Sequence, residues 1–189
     1  MTQIDLTIAG VGGQGSILAG IILGTAAVNH DGKYAVQTQA YSSELRGGFA
    51  ATWVIISDVP VDFPRVTEPD ILVAQAQDSI NRFAKGLKSG GLLIIDSDMI
   101  AQPPPDIERV VKVPATSIAR RELGTPMVAN IVMLGALWQA TELVSREALK
   151  KAIAEAVPKG KEELNLVAFD KGVQATKSQL SSGATNNKE

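Results

Sequence analysis

Gly10-Val-Gly-Gly-Gln-Gly15 lies between a strand-like run, Ile4-Asp-Leu-Thr-Ile-Ala9, and a helix-like run, Ser16-Ile-Leu-Ala-Gly-Ile-Ile-Leu-Gly-Thr-Ala-Ala-Val28. Glycines at such a junction let the backbone turn sharply and bring main-chain N–H groups close to an anion, at the positive end of the following helix. The pattern predicts a phosphate-bearing ligand near the N-terminus, against the alternative of a tight strand-to-helix turn that binds nothing. Gly10, Gly12 and Gly15 also fit the dinucleotide fingerprint of NAD and FAD sites, which requires an acidic residue at the end of the second strand to accept from the ribose hydroxyls. The second strand here, Lys33-Tyr-Ala-Val-Gln-Thr-Gln39, ends in Thr38 and Gln39, while Asp31 precedes it in a turn. A phosphate-binding P-loop fails as well, because no Gly-Lys-Ser/Thr follows the turn.

Outward from this stretch, the composition describes one globular domain with a sizeable core. The chain has 189 residues, 45% of them apolar and 20% charged, with a net charge of −2. The near-neutral balance and an aromatic content of 4% give no support to nucleic acid as the partner. The absence of cysteine excludes disulfides, thiolate zinc sites, a cysteine nucleophile and a cysteine-ligated iron–sulfur cluster in this chain. It also points to a cytoplasmic compartment. No export signal is visible, and the apolar stretch after Gly15, broken by Gly20 and Gly24, reads as a buried helix and not as a membrane span.

Strand-like and helix-like segments alternate along the chain, which predicts a single three-layer α/β domain with a parallel or mixed sheet and helices on both faces. Its N-terminal half is Rossmann-like and its C-terminal part helical. Further strands are read at 49–57, 70–75, 91–96 and 107–113, with a short helix at 78–87. Thr125-Pro126 forms an N-cap with proline at the first helical position, opening a helix over 128–140 that is apolar nearly all round and therefore central. Ser145 starts an amphipathic helix and a last one spans 161–176. The domain is predicted to cover residues 1–177, with a polar, disordered tail at 178–189.

A second constellation, Tyr41-Ser-Ser-Glu-Leu-Arg-Gly-Gly48, follows the second strand and is expected at the same sheet end as the glycine turn. Arg46 suits a forked contact to phosphate, with Gly47 and Gly48 offering bare backbone N–H groups; the alternative is a surface pair between Arg46 and Glu44. His30, the single histidine, sits in a His-Asp-Gly turn and reads as a loop residue, so no catalytic set is predicted.

Together with Ile56-Ser-Asp58, Pro69-Asp70, Pro114-Ala-Thr116, Val128-Ala-Asn-Ile-Val-Met-Leu-Gly-Ala136, Lys159-Gly-Lys161 and Asn165-Leu-Val-Ala-Phe169, these segments resemble the gamma subunit, or equivalent fused domain, of the 2-oxoacid:ferredoxin oxidoreductases. The likeness is greatest to the 2-oxoglutarate-specific subunits; pyruvate and branched-chain 2-oxoacids stay open. Ser42-Ser43 departs from the family's usual glycine and proline before the glutamate. The resemblance implies a heteromeric enzyme, inactive as the isolated chain, that converts a 2-oxoacid, coenzyme A and oxidised ferredoxin into an acyl-CoA, carbon dioxide and reduced ferredoxin. Thiamine diphosphate, magnesium and iron–sulfur clusters would reside on companion alpha, beta and ferredoxin-like delta subunits. Coenzyme A would be held partly here, by the amides of Gly12, Gly13 and Gly15, by Gln14, by Ser42 or Ser43, by Arg46 with Gly47 and Gly48, and by Asn130 facing the same cleft toward the adenosine or pantetheine part; the alternative for Asn130 is a buried asparagine that satisfies a neighbouring loop. Two alternatives are a docking subunit that contacts no ligand and a free-standing NAD- or FAD-dependent oxidoreductase.

Overall fold

The structure is a computed structural model that describes residues 3–42 and 48–183. Six strands form one sheet in the order β2-β3-β1-β4-β5-β6: β1 is Gln3–Val11, β2 Tyr34–Tyr41, β3 Phe49–Ser57, β4 Ile71–Ala74, β5 Leu92–Asp96 and β6 Arg109–Val113. Strand β3 runs antiparallel to both of its neighbours, and β1, β4, β5 and β6 are parallel to one another, so the sheet is mixed. Every residue of β4 and β5 is buried, as expected of parallel strands covered on both faces.

Alternate residues along these strands enter two separate cores. Ile71 and Val73 join Leu6, Ile8 and Ile94 in the larger one, beneath helices α1 (Ser16–Thr25), α4 (Ala129–Thr141), α5 (Arg146–Ala156) and α6 (Glu162–Gly183). Leu72, Ala74, Leu93 and Ile95 join the smaller one, covered by α2 (Gln77–Phe83). Helices therefore lie on both faces, with most of them on one. Helix α3 (Ala115–Ser117) follows β6 and continues as a π turn through Ile118–Glu122. Helix α4 is buried from Asn130 to Leu137, which is why its sequence shows no polar face. Its entry is the cap read from sequence: Thr125 Oγ1 accepts from Met127 N at 3.3 Å, and one 3-10 turn, Pro126–Val128, precedes the helix.

Two turn residues have structural partners. Asp31 accepts from Ser145 Oγ at 2.7 Å, and Ser145 in turn caps α5 by accepting from Ala148 N at 3.1 Å. His30 lies 3.2 Å from Glu155 on the same helix. Helix α6 continues through 178–183, past the predicted boundary at residue 177. Gln179 is the reason: its Oε1 accepts from Lys112 N on the free edge of β6 at 2.9 Å.

Asp170 on α6 accepts from Arg146 at 2.7 Å and Lys150 at 2.8 Å, both on α5. Partial burial pushes its carboxyl up, but the hydrogen bonds and charges of Lys150 and Arg146 outweigh this and hold it below the usual carboxylate range. A carboxyl whose folded pKa is depressed adds stability above its unfolded pKa and loses it as pH falls through the folded one. The stability gap between the native chain and Asp170→Asn, measured by urea unfolding, is therefore expected to be full at neutral pH. It should shrink below about pH 3.9, the ordinary aspartate value. A gap of the same size in strong acid would show that the ion pairs contribute nothing.

Candidate functional site

The register brings the glycine turn, Ser42 and Gly48 to one end of the sheet. Val11 pairs with Phe49, and Tyr41 with Ala50, so β1 and β2 end where β3 begins. Ala9 pairs with Ala74, and Ala74 with Ile95, so β4 and β5 end there too. The chain leaves β1 toward β2 on one side of the sheet and continues from β4 toward β5 on the other. The crevice between the ends of β1 and β4 is thus a topological switch point, the place where open α/β sheets bind ligands.

The turn itself is locked by glutamines. Gln14 Oε1 accepts from Val11 N at 2.8 Å, and its Nε2 donates to the Gln75 carbonyl at 3.0 Å. Gln75, 3% exposed, accepts from Ser16 Oγ at 2.5 Å through its own Oε1. Gly12 N donates to the Gly48 carbonyl at 2.8 Å, tying the turn to the next loop. Gly13 and Gly15 take φ of 95° and 74°, left-handed conformations that favour glycine. Neither of their N–H groups has an acceptor among the described residues, and they sit at the N-terminus of α1, whose first-turn amides also lack helical partners.

Beside this turn lies a cleft of about 160 Å³ with a mixed lining, walled by Gly13, Gln14, Gln75, Asp96, Thr116 and Arg120 and bounded by Met99, Pro126, Met127 and Ala129. Burial pushes the Asp96 carboxyl up. Hydrogen bonds from Thr116 Oγ1 at 2.6 Å, Asp98 N at 3.1 Å and Thr116 N at 3.2 Å oppose that shift. The cleft is smaller than the roughly 300–1,000 Å³ of pockets that enclose a drug-sized ligand, and suits a phosphate or diphosphate group. Met127, 83% exposed, separates it from an apolar groove of about 320 Å³ bordered by Leu18, Val128, Ile131, Val157 and Leu164.

The predicted site residues divide accordingly. Gly13 and Gly15 offer open amides, and Gly13 borders the cleft. Gly12 and Gly48 are bonded to each other, Gln14 spends both ends of its amide on the turn, and Ser42 N continues the β2–β3 ladder to Phe49 O at 2.9 Å. Asn130 does not line this cleft; it borders the neighbouring apolar groove and serves the glycine turn, the alternative reading of it. It is 3% exposed, and its Nδ2 donates to the Gly15 carbonyl at 3.3 Å from behind the turn. Ser43, Arg46 and Gly47, like Glu44, lie outside the described residues. Gln75, Asp96 and Arg120 went unnoticed in the sequence, and Thr116 entered only within Pro114-Ala-Thr116, with no role at the site. For Gln75 and Asp96 a signal existed, since both stand at carboxyl ends of buried strands.

The topology also bears on the dinucleotide alternative. Antiparallel β3 separates β2 from β1, so the end of the second strand is one strand removed from the glycine turn, away from where a ribose-binding acid would stand. Among the described residues no three His, Cys, Asp or Glu side chains group to hold a metal ion, and no helix is long and apolar enough to cross a membrane.

The sequence profile described as "Pyruvate ferredoxin/flavodoxin oxidoreductase" matches residues 5–175. The chain belongs to the pyruvate ferredoxin/flavodoxin oxidoreductase family. Within it, the 2-oxoglutarate synthase subunit KorC of Methanocaldococcus jannaschii is 48% identical over 176 residues, covering 92% of this chain and 94% of that protein. The crystal structure of a keto/oxoacid ferredoxin oxidoreductase gamma subunit from Geobacter sulfurreducens superposes with a TM-score of 0.85 at 40% identity, covering 94% of this chain and 98% of the other. A 2-oxoglutarate:ferredoxin oxidoreductase from Magnetococcus marinus, solved with 2-oxoglutarate, coenzyme A and succinyl-CoA bound, shares the fold with a TM-score of 0.82. Its identity is 24%, and the match covers 94% of this chain and 32% of that one. Family members of this kind are gamma subunits of 2-oxoacid:ferredoxin oxidoreductases, and this chain has their mixed six-stranded sheet.

Proposed function

We propose that this chain is the gamma subunit of a cytoplasmic 2-oxoglutarate:ferredoxin oxidoreductase and that it holds the phosphate end of coenzyme A. The observation that carries the reading is the pair of amides, Gly13 and Gly15, without an acceptor among the described residues, at the N-terminus of α1 beside a cleft at the sheet's switch point. Backbone N–H groups and a helix dipole aimed at one place favour an anion. The pantetheine arm would leave past Met127, along the neighbouring apolar groove. The choice of 2-oxoglutarate is supported by the name of the 48% identical relative, and that of coenzyme A by the ligands of the Magnetococcus marinus enzyme.

Decarboxylation and electron transfer fall to companion alpha and beta subunits with thiamine diphosphate and magnesium, and to iron–sulfur clusters, one set on a delta subunit, that reduce ferredoxin. A chain with no cysteine has no thiolate to give a cluster. What its residues do is bind and orient the acyl acceptor. Its share in assembly is supported by the exposed apolar side chains of Leu18 and Ile21 on α1 and of Val28 just beyond it.

The test is coenzyme A saturation of the purified complex. Arg46→Ala is expected to raise the KM for coenzyme A at least tenfold, the equivalent of about 1.5–3 kcal/mol for a phosphate–arginine contact, with the KM for 2-oxoglutarate unchanged. Unchanged saturation would remove Arg46 from the site. Loss of the companion subunits in Arg46→Ala and Gly13→Val alike, with coenzyme A dependence intact in whatever complex remains, would favour the docking role instead.

A further inference from the structure

We infer that Arg120 is the cation that meets the diphosphate of coenzyme A in the β1/β4 cleft; this rests on the coenzyme A reading above. Arg120 is the one lysine or arginine among the described residues that line the cleft. It is exposed, and no carboxylate or carbonyl among the described residues pairs with it. An unpaired guanidinium beside open backbone amides has the planar fork that matches phosphate oxygens.

Its position is fixed from below. Asp96, 2% exposed, holds Thr116 through both the amide and the hydroxyl, and Asp98 holds Ser117 in the same way, at 2.6 Å to N and 2.9 Å to Oγ. These carboxylates fill the start of the Ala115–Glu122 helical segment, so that helix end is closed to an anion. The Asp96 oxygens accept hydrogen bonds from Thr116 and from Asp98 N, and Arg120 is the one cation of the described lining. Thr116 and Arg120 are four residues apart, hence on one side of the turn, and both line the cleft. A diphosphate between the α1 N-terminus and Arg120 would meet a helix dipole on one side and a guanidinium on the other. Arg121, adjacent, also exposed and of the same charge, does not line the cleft.

The experiment measures KM for coenzyme A, for dephospho-coenzyme A and for the 2-oxoacid in the assembled complex. The variants are Arg120→Ala, Arg120→Lys, Arg121→Ala and Gly13→Val. Arg120→Ala is expected to raise KM for coenzyme A about tenfold, Arg120→Lys to restore part of the loss, and Arg121→Ala to stay within about twofold of the native complex. The tenfold penalty should persist with dephospho-coenzyme A, which keeps the diphosphate and lacks the ribose 3′-phosphate, and KM for the 2-oxoacid should not move. An equal effect of Arg121→Ala would reduce the role to general charge, and a penalty that vanishes with dephospho-coenzyme A would place the contact elsewhere; either overturns the inference. If Arg120→Ala is silent while Gly13→Val raises KM, Arg120 alone is refuted and the cleft stands. If both are silent, the coenzyme A reading falls with it.

Discussion

Alanine at Gly135 or Gly172 is expected to cost this protein about 3 kcal/mol or more, on the order of 6–12 °C in melting temperature for a chain of this size. The two glycines mark the crossing of α4 and α6. A methyl group on Gly135 would come within 3.0 Å of the Phe169 carbonyl oxygen, and one on Gly172 within 3.0 Å of that of Val132. Backbone oxygens cannot rotate aside as a side chain can, so the helices must separate. Separation would open the core around Phe169, Val132 and Ala136, all fully buried. Gly24→Ala is the natural control, because a methyl group there meets nothing within 4 Å and adds helix propensity. Thermal unfolding should show Gly24→Ala unchanged or slightly raised and both crossing variants well below the native chain. Melting of Gly135→Ala and Gly172→Ala within 2 °C of native would mean the helices are not held this closely.

That crossing was not legible in the sequence. Gly135 sits in an apolar run and Gly172 in a mixed one, and only the pairing of two distant helices gives them a common purpose. The strands were easier: Ile71–Ala74 and Leu92–Asp96 are short apolar runs between turn residues, and they are buried on both faces. Their order was harder. A strand–helix–strand sequence suggests that β1 and β2 are neighbours, yet the β2–β3 hairpin folds β3 into the place between them. At the site, a sharp glycine turn after β1 could be read from the sequence, though not that Gly13 and Gly15 are the ones that take positive φ. The fate of the Gln14 amide could not, because its partner Gln75 lies 61 residues away. Arg120 was hidden for the same reason: nothing local says that the segment after Pro114 returns to the edge where β1 and β4 end. The polar run after Thr176 looks frayed in isolation and is helical because Gln179 finds an unpaired edge amide on β6.

Gly15→Ala should be as damaging as the crossing variants, by a different mixture of causes. An L-residue at φ 74°, ψ 21° pays about 1–2 kcal/mol for the left-handed conformation. Its methyl group would also stand 2.5 Å from Asn130 Nδ2 and 2.9 Å from Cγ, and Asn130 is buried in α4. Moving Asn130 breaks its bond to the Gly15 carbonyl and leaves a buried amide with no partner at either end, since Oδ1 already has none, at a cost of about 1–3 kcal/mol. The two causes separate in a double-mutant cycle. Asn130→Ala removes the obstacle and leaves φ as it was, so the double variant should unfold at a higher temperature than the summed losses of the single variants allow. Additive losses would acquit Asn130 and leave the backbone alone responsible. In the assembled complex, Gly15→Ala and the double variant should both bind coenzyme A weakly, because the strain lies in the turn that presents the amides. Normal saturation in the double variant would show that the steric clash, not the φ of residue 15, governs the ligand.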